Sequence, residues 1–250
     1  MRIAEGLEML EIEAQIMGGS ERIYPVLMWD DEHVMLVNTG YPGITETFQA
    51  EFAEAGVAWD RLDTVLITHQ DLDHIGGLPA ILEQRPSIRV LAHPLERPYI
   101  EGERMLLKHT PEAIAAAEAM LPPNVPAEWR RAFLHVLSHP PRARVDAELT
   151  DGEVLPVAGG VTVITTPGHS PGHVSLYHGA SGTLVAGDSL TVRDGELHGP
   201  DPRATPDMPA ALASLRRYAG LTIHTVICYH GGLYRGEAGK RIAELAEGAR

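Results

Sequence analysis

Residues 64–77, Thr-Val-Leu-Ile-Thr-His69-Gln70-Asp71-Leu72-Asp73-His74-Ile-Gly-Gly, open as a β-branched apolar run and close on four ligand-type side chains within six residues. In an extended stretch His69 and Asp71 face the same side, whereas Asp73 and His74 fall at the turn into the next helix. One pair can hold one metal ion while the other holds a second. Gly76-Gly77 is expected to let the helix start pack close to those metals. Three other apolar strands run out in the same way: Val161-Thr-Val-Ile-Thr-Thr-Pro-Gly before His169, Thr183-Leu-Val-Ala-Gly before Asp188, and Thr225-Val-Ile-Cys-Tyr before His230. Sites in α/β proteins form at strand ends, where the rigid sheet fixes a side chain and the loop is free to vary.

Outward from this stretch the periodicity alternates between strand and helix. Leu7–Met17, Ile23–Met28 and Val34–Val37 predict three strands of an antiparallel meander, with Gly18-Gly19 and Asp30-Asp31 in the turns. Ile44–Ala55 predicts a helix with Thr45 as N-cap and Gly56 just past its end. Strands are expected over Leu62–Thr68 and Ile88–Ala92, with a helix over Ile75–Gln84 between them. Residues 94–147 break the regularity and read as a helical cap insertion, with helices at Pro111–Met120 and Ala127–Leu137. Strands resume at Val154–Pro156, Val161–Thr165, Val174–His178, Thr183–Ala186 and Thr225–Tyr229, with helices near Pro209–Ala219 and at Ala238–Gly248. This is the alternation of a layered α/β protein, one domain over residues 1–250.

Composition narrows the chemistry. The 250 residues are 44% hydrophobic and include one cysteine, Cys228, so an intramolecular disulfide and a multi-cysteine metal cluster are both excluded. Any metal must sit on imidazole and carboxylate, and the chain carries 13 histidines. A net charge of -14 disfavours nucleic acid and anionic membranes, which are bound through Lys and Arg. No apolar run approaches the roughly 18 to 20 residues that span a bilayer. The opening residues mix Glu through what would be a leader's apolar region, so a cytoplasmic location is expected.

The cluster and its distant partners resemble the metallo-β-lactamase superfamily, whose hallmark is His-x-His-x-Asp-His followed by a distant His, a bridging Asp and a last His. The matching residues here are His69, Asp71, Asp73, His74, then His169 in TPGHSPGH, Asp188 in AGDSL and His230 in YHGG. The resemblance implies a four-layer αβ/βα sandwich of that fold, in which His69, Asp71 and His169 bind a first metal, Asp73, His74 and His230 a second, and Asp188 bridges them. Asp71 departs from the commoner histidine, placing a hard anionic oxygen on the first metal. Three carboxylates and a bridging hydroxide would balance two divalent ions. Zinc is the first expectation for both, and Asp71 brings manganese and iron closer. Asn38, in LVNTGYPG where relatives often read Asp-Thr-Gly, is expected to support the site from beneath.

The mechanism implied is a metal-bridging hydroxide attacking an ester-like bond, a thioester or lactone, in a small molecule, with Asp73 orienting it and moving its proton. Two alternatives stand beside this: hydrolysis of a small phosphodiester, and a non-hydrolytic diiron redox or sensor protein, since the superfamily's diiron members carry Glu at the position of Asp71. A β-lactam substrate is disfavoured for lack of a leader. In the cap, Tyr99 and Lys108 are substrate-contact candidates. His173 is expected to hydrogen-bond within its loop, and Cys228 to be a buried small apolar residue.

Overall fold

The computed structural model describes residues 1–16 and 19–248. Its strands are β1 (Arg2–Ala4), β2 (Leu7–Met9), β3 (Ile12–Ile16), β4 (Gly19–Ile23), β5 (Val26–Trp29), β6 (Val34–Val37), β7 (Thr64–Ile67), β8 (Arg89–Ala92), β9 (Ala147–Glu148), β10 (Val154–Leu155), β11 (Val161–Thr165), β12 (Val174–His178), β13 (Thr183–Gly187), β14 (Thr191–Arg193), β15 (Glu196–His198), β16 (Thr225–Cys228) and β17 (Gly232–Arg235). Its helices are α1 (Thr45–Ala55), α2 (Leu72–Ile75), α3 (Leu78–Gln84), α4 (Arg97–Ile100), α5 (Pro111–Met120), α6 (Ala127–Ser138), α7 (Met208–Ser214) and α8 (Ala238–Glu247), with short 3-10 turns at Trp59–Arg61 and Leu215–Tyr218.

Two sheets stack face to face. One has the order β1-β2-β5-β6-β7-β8-β9, the other β10-β11-β12-β13-β16-β17, and β3-β4 and β14-β15 are separate hairpins. Pairing is antiparallel from β1 to β6 and parallel from β6 to β9; β13 and β16 are the parallel pair of the second sheet.

The central strands are apolar throughout because both faces are covered. In β7, Val65 and Ile67 face outward onto Phe48 and Phe52 of α1 and Leu78 and Ile81 of α3. Leu66 faces inward, in the cluster that joins Met28, Met35 and Val37 to Val163, Leu176, Val185 and Ile227 of the other sheet. Beyond the second sheet, Leu184, Ala186, Val226 and Cys228 pack under Leu215, Tyr218 and Ile242. The layers therefore run helix, sheet, sheet, helix, and Cys228 is a buried apolar residue as expected. Among the described residues no helix is long and apolar enough to cross a membrane.

Several local expectations are corrected. The strand expected over Leu7–Met17 divides, because Leu10 N–H bonds the Pro25 carbonyl (2.9 Å) and β3 leaves the main sheet to pair with β4. The strand expected over Ile23–Met28 divides too, at Tyr24-Pro25, where proline has no N–H for the ladder. Met17 and Gly18, the end of that first stretch and the start of its turn, lie outside the described residues. Ile44 occupies the N-cap position of α1, so Thr45 is the first helical residue and makes no cap. Gly56 closes the helix in the left-handed conformation, as expected. The helix expected over Ile75–Gln84 is two pieces, α2 and α3, joined through Gly76-Gly77. Those glycines approach the loop after β6 rather than the ligand cluster: a Cβ on Gly77 would lie 2.3 Å from the Thr39 carbonyl oxygen, and one on Gly76 2.6 Å from Pro42 N. Between β8 and β9 lie α4, α5 and α6; α5 and α6 have no buried residue.

Candidate metal centre

The four strand ends identified in the sequence converge. His69 and Asp71 follow β7, Asp73 and His74 lie in α2, His169 follows β11, Asp188 follows β13 and His230 follows β16. Their donor atoms form two groups, His69, Asp71, His169 and Asp188 in one and Asp73, His74 and His230 in the other, each group within 4.8 Å of mutual reach. Asp188 touches both: Oδ2 is 3.3 Å from His169 Nε2 and 3.5 Å from His230 Nε2, while Oδ1 is 3.5 Å from His74 Nε2. Asp71 Oδ2 lies 3.1 Å from Nε2 of both His69 and His169. Asp73 Oδ2 is 3.1 Å from His230 Nε2 and 3.5 Å from His74 Nε2.

The outer contacts fix which nitrogen of each imidazole faces the centre. Asn38, buried and held at φ 66°, accepts at Oδ1 from both the Thr68 backbone N–H and the Thr68 hydroxyl, each at 3.0 Å. The backbone N–H can only donate, so the Asn38 oxygen is placed without ambiguity and the Thr68 hydroxyl proton is committed to it. The Thr68 Oγ1 lone pairs then accept from Nδ1–H of His69 (3.1 Å) and of His74 (3.3 Å). His169 turns its Nδ1 to Thr205 Oγ1 (3.2 Å), and His230 turns its Nδ1 to Glu21 Oε1 (3.5 Å). His69 and His74, whose Nδ1–H is spent on Thr68, thus present an Nε2 lone pair inward, the tautomer a metal ligand needs, and His169 and His230 turn the same nitrogen to the centre. Asn38 supports the site from beneath, as expected, through Thr68.

Three inward atoms, His69 Nε2, His74 Nε2 and Asp188 Oδ1, are buried without any hydrogen-bond partner. Buried polar atoms are rarely left so, because each forfeits its hydration. Imidazole lone pairs and carboxylates converging in this way fit a divalent cation. Protonation differs across the cluster: burial would lower His230, but the Asp188 and Asp73 carboxylates outweigh it and raise it to about 11. Burial, with His74 alongside, pushes His69 down to about 4, so it is neutral. Burial alone would raise the three carboxylates, but the surrounding imidazoles outweigh it and hold Asp71 and Asp188 well below the usual carboxylate range; Asp73 is lowered as well.

Of the two cap residues, Lys108 reaches the cluster and Tyr99 does not. The Lys108 ammonium donates to Asp71 Oδ2 and to His169 Nε2, the latter at 2.8 Å. Tyr99 packs against the apolar cluster outside the first sheet, with the Arg104 guanidinium 5.9 Å from its ring. His173 extends beyond its own loop: neutralised by burial and the nearby His69 and His169, it donates from Nδ1 to Thr166 Oγ1 (2.7 Å) and accepts at Nε2 from the Asp188 backbone N–H (3.0 Å). It positions Asp188.

Glu96 had no signal in the sequence. Fully buried, it accepts at Oε2 from the Gln70 backbone and side chain (both 3.0 Å) and at Oε1 from Ser170 Oγ (2.7 Å) and Gly172 N (2.6 Å). One carboxylate thereby ties the loop carrying His69 and Asp71 to the loop carrying His169. Gln70 Oε1 in turn accepts from Leu107 N (2.8 Å), which seats Lys108. Tyr229 lies against the His74 ring, with centroids 3.8 Å apart and planes tilted by 32°, and donates to the Asp73 carbonyl (2.5 Å).

Comparison with known proteins agrees with this geometry. The chain is 30% identical over 221 residues to the Bacillus subtilis protein named "Probable metallo-hydrolase YflN", covering 84% of this chain and 80% of that one. It is 30% identical over 208 residues to a hydroxyacylglutathione hydrolase of Cereibacter sphaeroides, spanning 79% of this chain but only 61% of that protein. The crystal structure of a metallo-beta-lactamase family protein from Thermus thermophilus superposes with a TM-score of 0.68 at 26% identity, over 99% of this chain and 80% of that one. The sequence profile of the metallo-beta-lactamase superfamily matches residues 21–230, a span that contains all seven converging residues. With that match over most of its length and the family's fold around the cluster, the chain belongs to the metallo-beta-lactamase superfamily.

Proposed function

We propose that the protein is a metal-dependent hydrolase that cleaves an ester-like bond, a thioester or a lactone, in a small molecule, at a centre holding two divalent cations. The observation that carries this reading is the set of buried, partnerless atoms, His69 Nε2 in one donor group, His74 Nε2 in the other and Asp188 Oδ1 between them. His69, Asp71 and His169 would hold one ion, Asp73, His74 and His230 the other, with Asp188 between them. Zinc is the first occupant to test, then manganese and iron. Residues 1–250 form one domain in this reading, with 94–147 as its cap.

Divalent ions held there would supply an acidified water and a positive field on the scissile carbonyl oxygen. The chain supplies the rest. Asp73, braced through its backbone by Tyr229, would orient the attacking water and take its proton at a carboxylate oxygen. The water oxygen bonds to the carbonyl carbon, the acyl–oxygen or acyl–sulfur bond breaks, and the proton passes to the leaving group. The names of the two relatives, a metallo-hydrolase and a hydrolase of an acylglutathione, support the class. The test is elemental analysis of the metal-replete protein together with a panel of lactones, thioesters and phosphodiesters assayed with zinc, manganese and iron. Two ions per chain and turnover of an ester or thioester are expected. One ion or none, or phosphodiesters as the preferred substrates, would overturn the reading.

A further inference from the structure

A cleft of about 980 Å³ opens beside the cluster. One wall carries Leu72, Tyr41 and Pro42, and the other Trp129, Phe133 and Val136 of α6. The spacing of those three α6 residues, i, i+4 and i+7, makes one apolar stripe along a helix, and the helix has no buried residue on which the stripe could be spent. Trp129 is 60% exposed. The cleft adjoins the cluster on the Leu72 side, since Leu72 stands between Asp71 and Asp73. It adjoins it again at Tyr41, whose hydroxyl donates to Glu21 Oε2 (2.7 Å) while Glu21 Oε1 faces His230 Nδ1.

We propose that this cleft binds the uncharged apolar acyl tail of the substrate, so that the preferred substrates are acyl esters or lactones bearing an alkyl chain, not acylglutathiones. The inference rests on the hydrolase reading and narrows it. Three observations carry it. The cleft adjoins the cluster at Leu72 and Tyr41, so a tail lying in it would place its carbonyl beside the donors. Its volume is at the upper end of small-molecule sites, roughly 300 to 1,000 Å³, with space for a chain of many carbons. Its only charged lining residue among those described is Glu128, with no Lys or Arg. Glutathione presents two carboxylates, whose recognition calls for cationic donors.

The experiment uses the metal-reconstituted full chain and three probe sets: nitrophenyl esters from acetyl to decanoyl, γ-lactones with alkyl tails of matching length, and S-lactoylglutathione. Octanamide serves as an uncleaved tail, measured by calorimetry and as a competitive inhibitor. We expect kcat/KM to rise roughly two- to fourfold per methylene until the cleft is filled, the size of effect that burying a methylene produces. S-lactoylglutathione should fall at least tenfold below the octanoyl ester. Trp129→Ala and Phe133→Ala should each lower the octanoyl-to-acetyl ratio of kcat/KM tenfold or more and weaken octanamide binding in parallel. A flat chain-length profile with S-lactoylglutathione preferred overturns the inference and leaves the hydrolase reading standing. A dimer in sedimentation that is abolished by Trp129→Glu, with no octanamide binding, also overturns it, because a second copy would then be the occupant. Octanamide binding that depends on Trp129, with no ester, lactone or thioester cleaved at any length, supports the cleft and sinks the hydrolase reading. If nothing is bound and nothing cleaved, both fall.

Discussion

The two donor groups use the same residue types but differ in what the chain has placed around them. The first, His69, Asp71, His169 and Asp188, is sealed: His169 is 3% and Asp188 7% exposed, and the Lys108 ammonium bonds two of its donors. The second, Asp73, His74 and His230, opens outward, with His230 32% exposed. A cation entering the first group must displace the Lys108 ammonium from Asp71 and His169, whereas one entering the second must displace the proton that Asp188 and Asp73 hold on His230. The centre is therefore asymmetric in what it must give up to take a cation, so the two groups should differ in affinity and in response to mutation.

The largest effect is expected from removing the residue that touches both halves. Asp188→Ala should lower kcat/KM by at least about a thousandfold and release at least one ion per chain, read by steady-state kinetics and elemental analysis. Retention of both ions would mean that the halves are independent. Glu96→Gln attacks the first half alone. An amide cannot accept from four donors, so the loops bearing Asp71 and His169 should separate, weakening the first ion by about 10- to 100-fold, the range typical of outer partners of metal ligands. The second ion should hold its affinity in the same titration.

His173→Ala removes the acceptor for the Asp188 N–H and the donor to Thr166 but no donor atom of either group, and should cost about tenfold in kcat/KM, far less than Asp188→Ala. Equal losses from the two would show that His173 does more than hold a backbone. Lys108→Met should sharpen the asymmetry in the opposite sense, tightening the first ion several-fold in calorimetric titration, while the metal-free protein melts a few degrees lower because Asp71 loses its partner. Unchanged affinity would mean that Lys108 exerts no control over loading. The smallest effect is expected from Asp71→His, which exchanges a hard anion for a softer neutral nitrogen. Competition between zinc and manganese should move a few-fold toward zinc with both ions still bound.

How much of this was legible in the sequence depends on whether the information is local. The cluster from His69 to His74 and the strand-end histidines were legible because each sits where an apolar run stops, and β11 and β12 match their expected bounds residue for residue. Glu96 was not legible. Its four hydrogen bonds join loops separated by 74 residues in the case of Ser170, and nothing near Glu96 in the chain announces them. Thr68 stood next to His69 yet looked like one more β-branched strand residue; its role emerges only when Asn38 is seen to take its proton. The splitting of the first strands turns on Pro25 and on a hairpin partner, and the burial of Thr45 on packing around α1, both tertiary effects that override local preference. Tyr99 and Lys108 are nine residues apart in one irregular stretch, and only the fold distinguishes the one under Arg104 from the one at Asp71.

The close approach of Gly76 and Gly77 to the loop after β6 has a consequence for how this enzyme's range could be altered. Thr39, through both its N–H and its hydroxyl, grips the His74 carbonyl at 2.8 and 2.9 Å, and no side chain fits between Gly77 and the Thr39 oxygen. Tyr41, Pro42 and Leu72 are therefore fastened to the same rigid piece as Asn38 and His74, and mutations that reshape that wall would disturb the ligands with it. The α6 wall carries no such obligation. Variation in Trp129, Phe133 and Val136, whether by natural drift or by laboratory selection, is free to retune selectivity while the other side stays still, which makes α6 the place to begin a library.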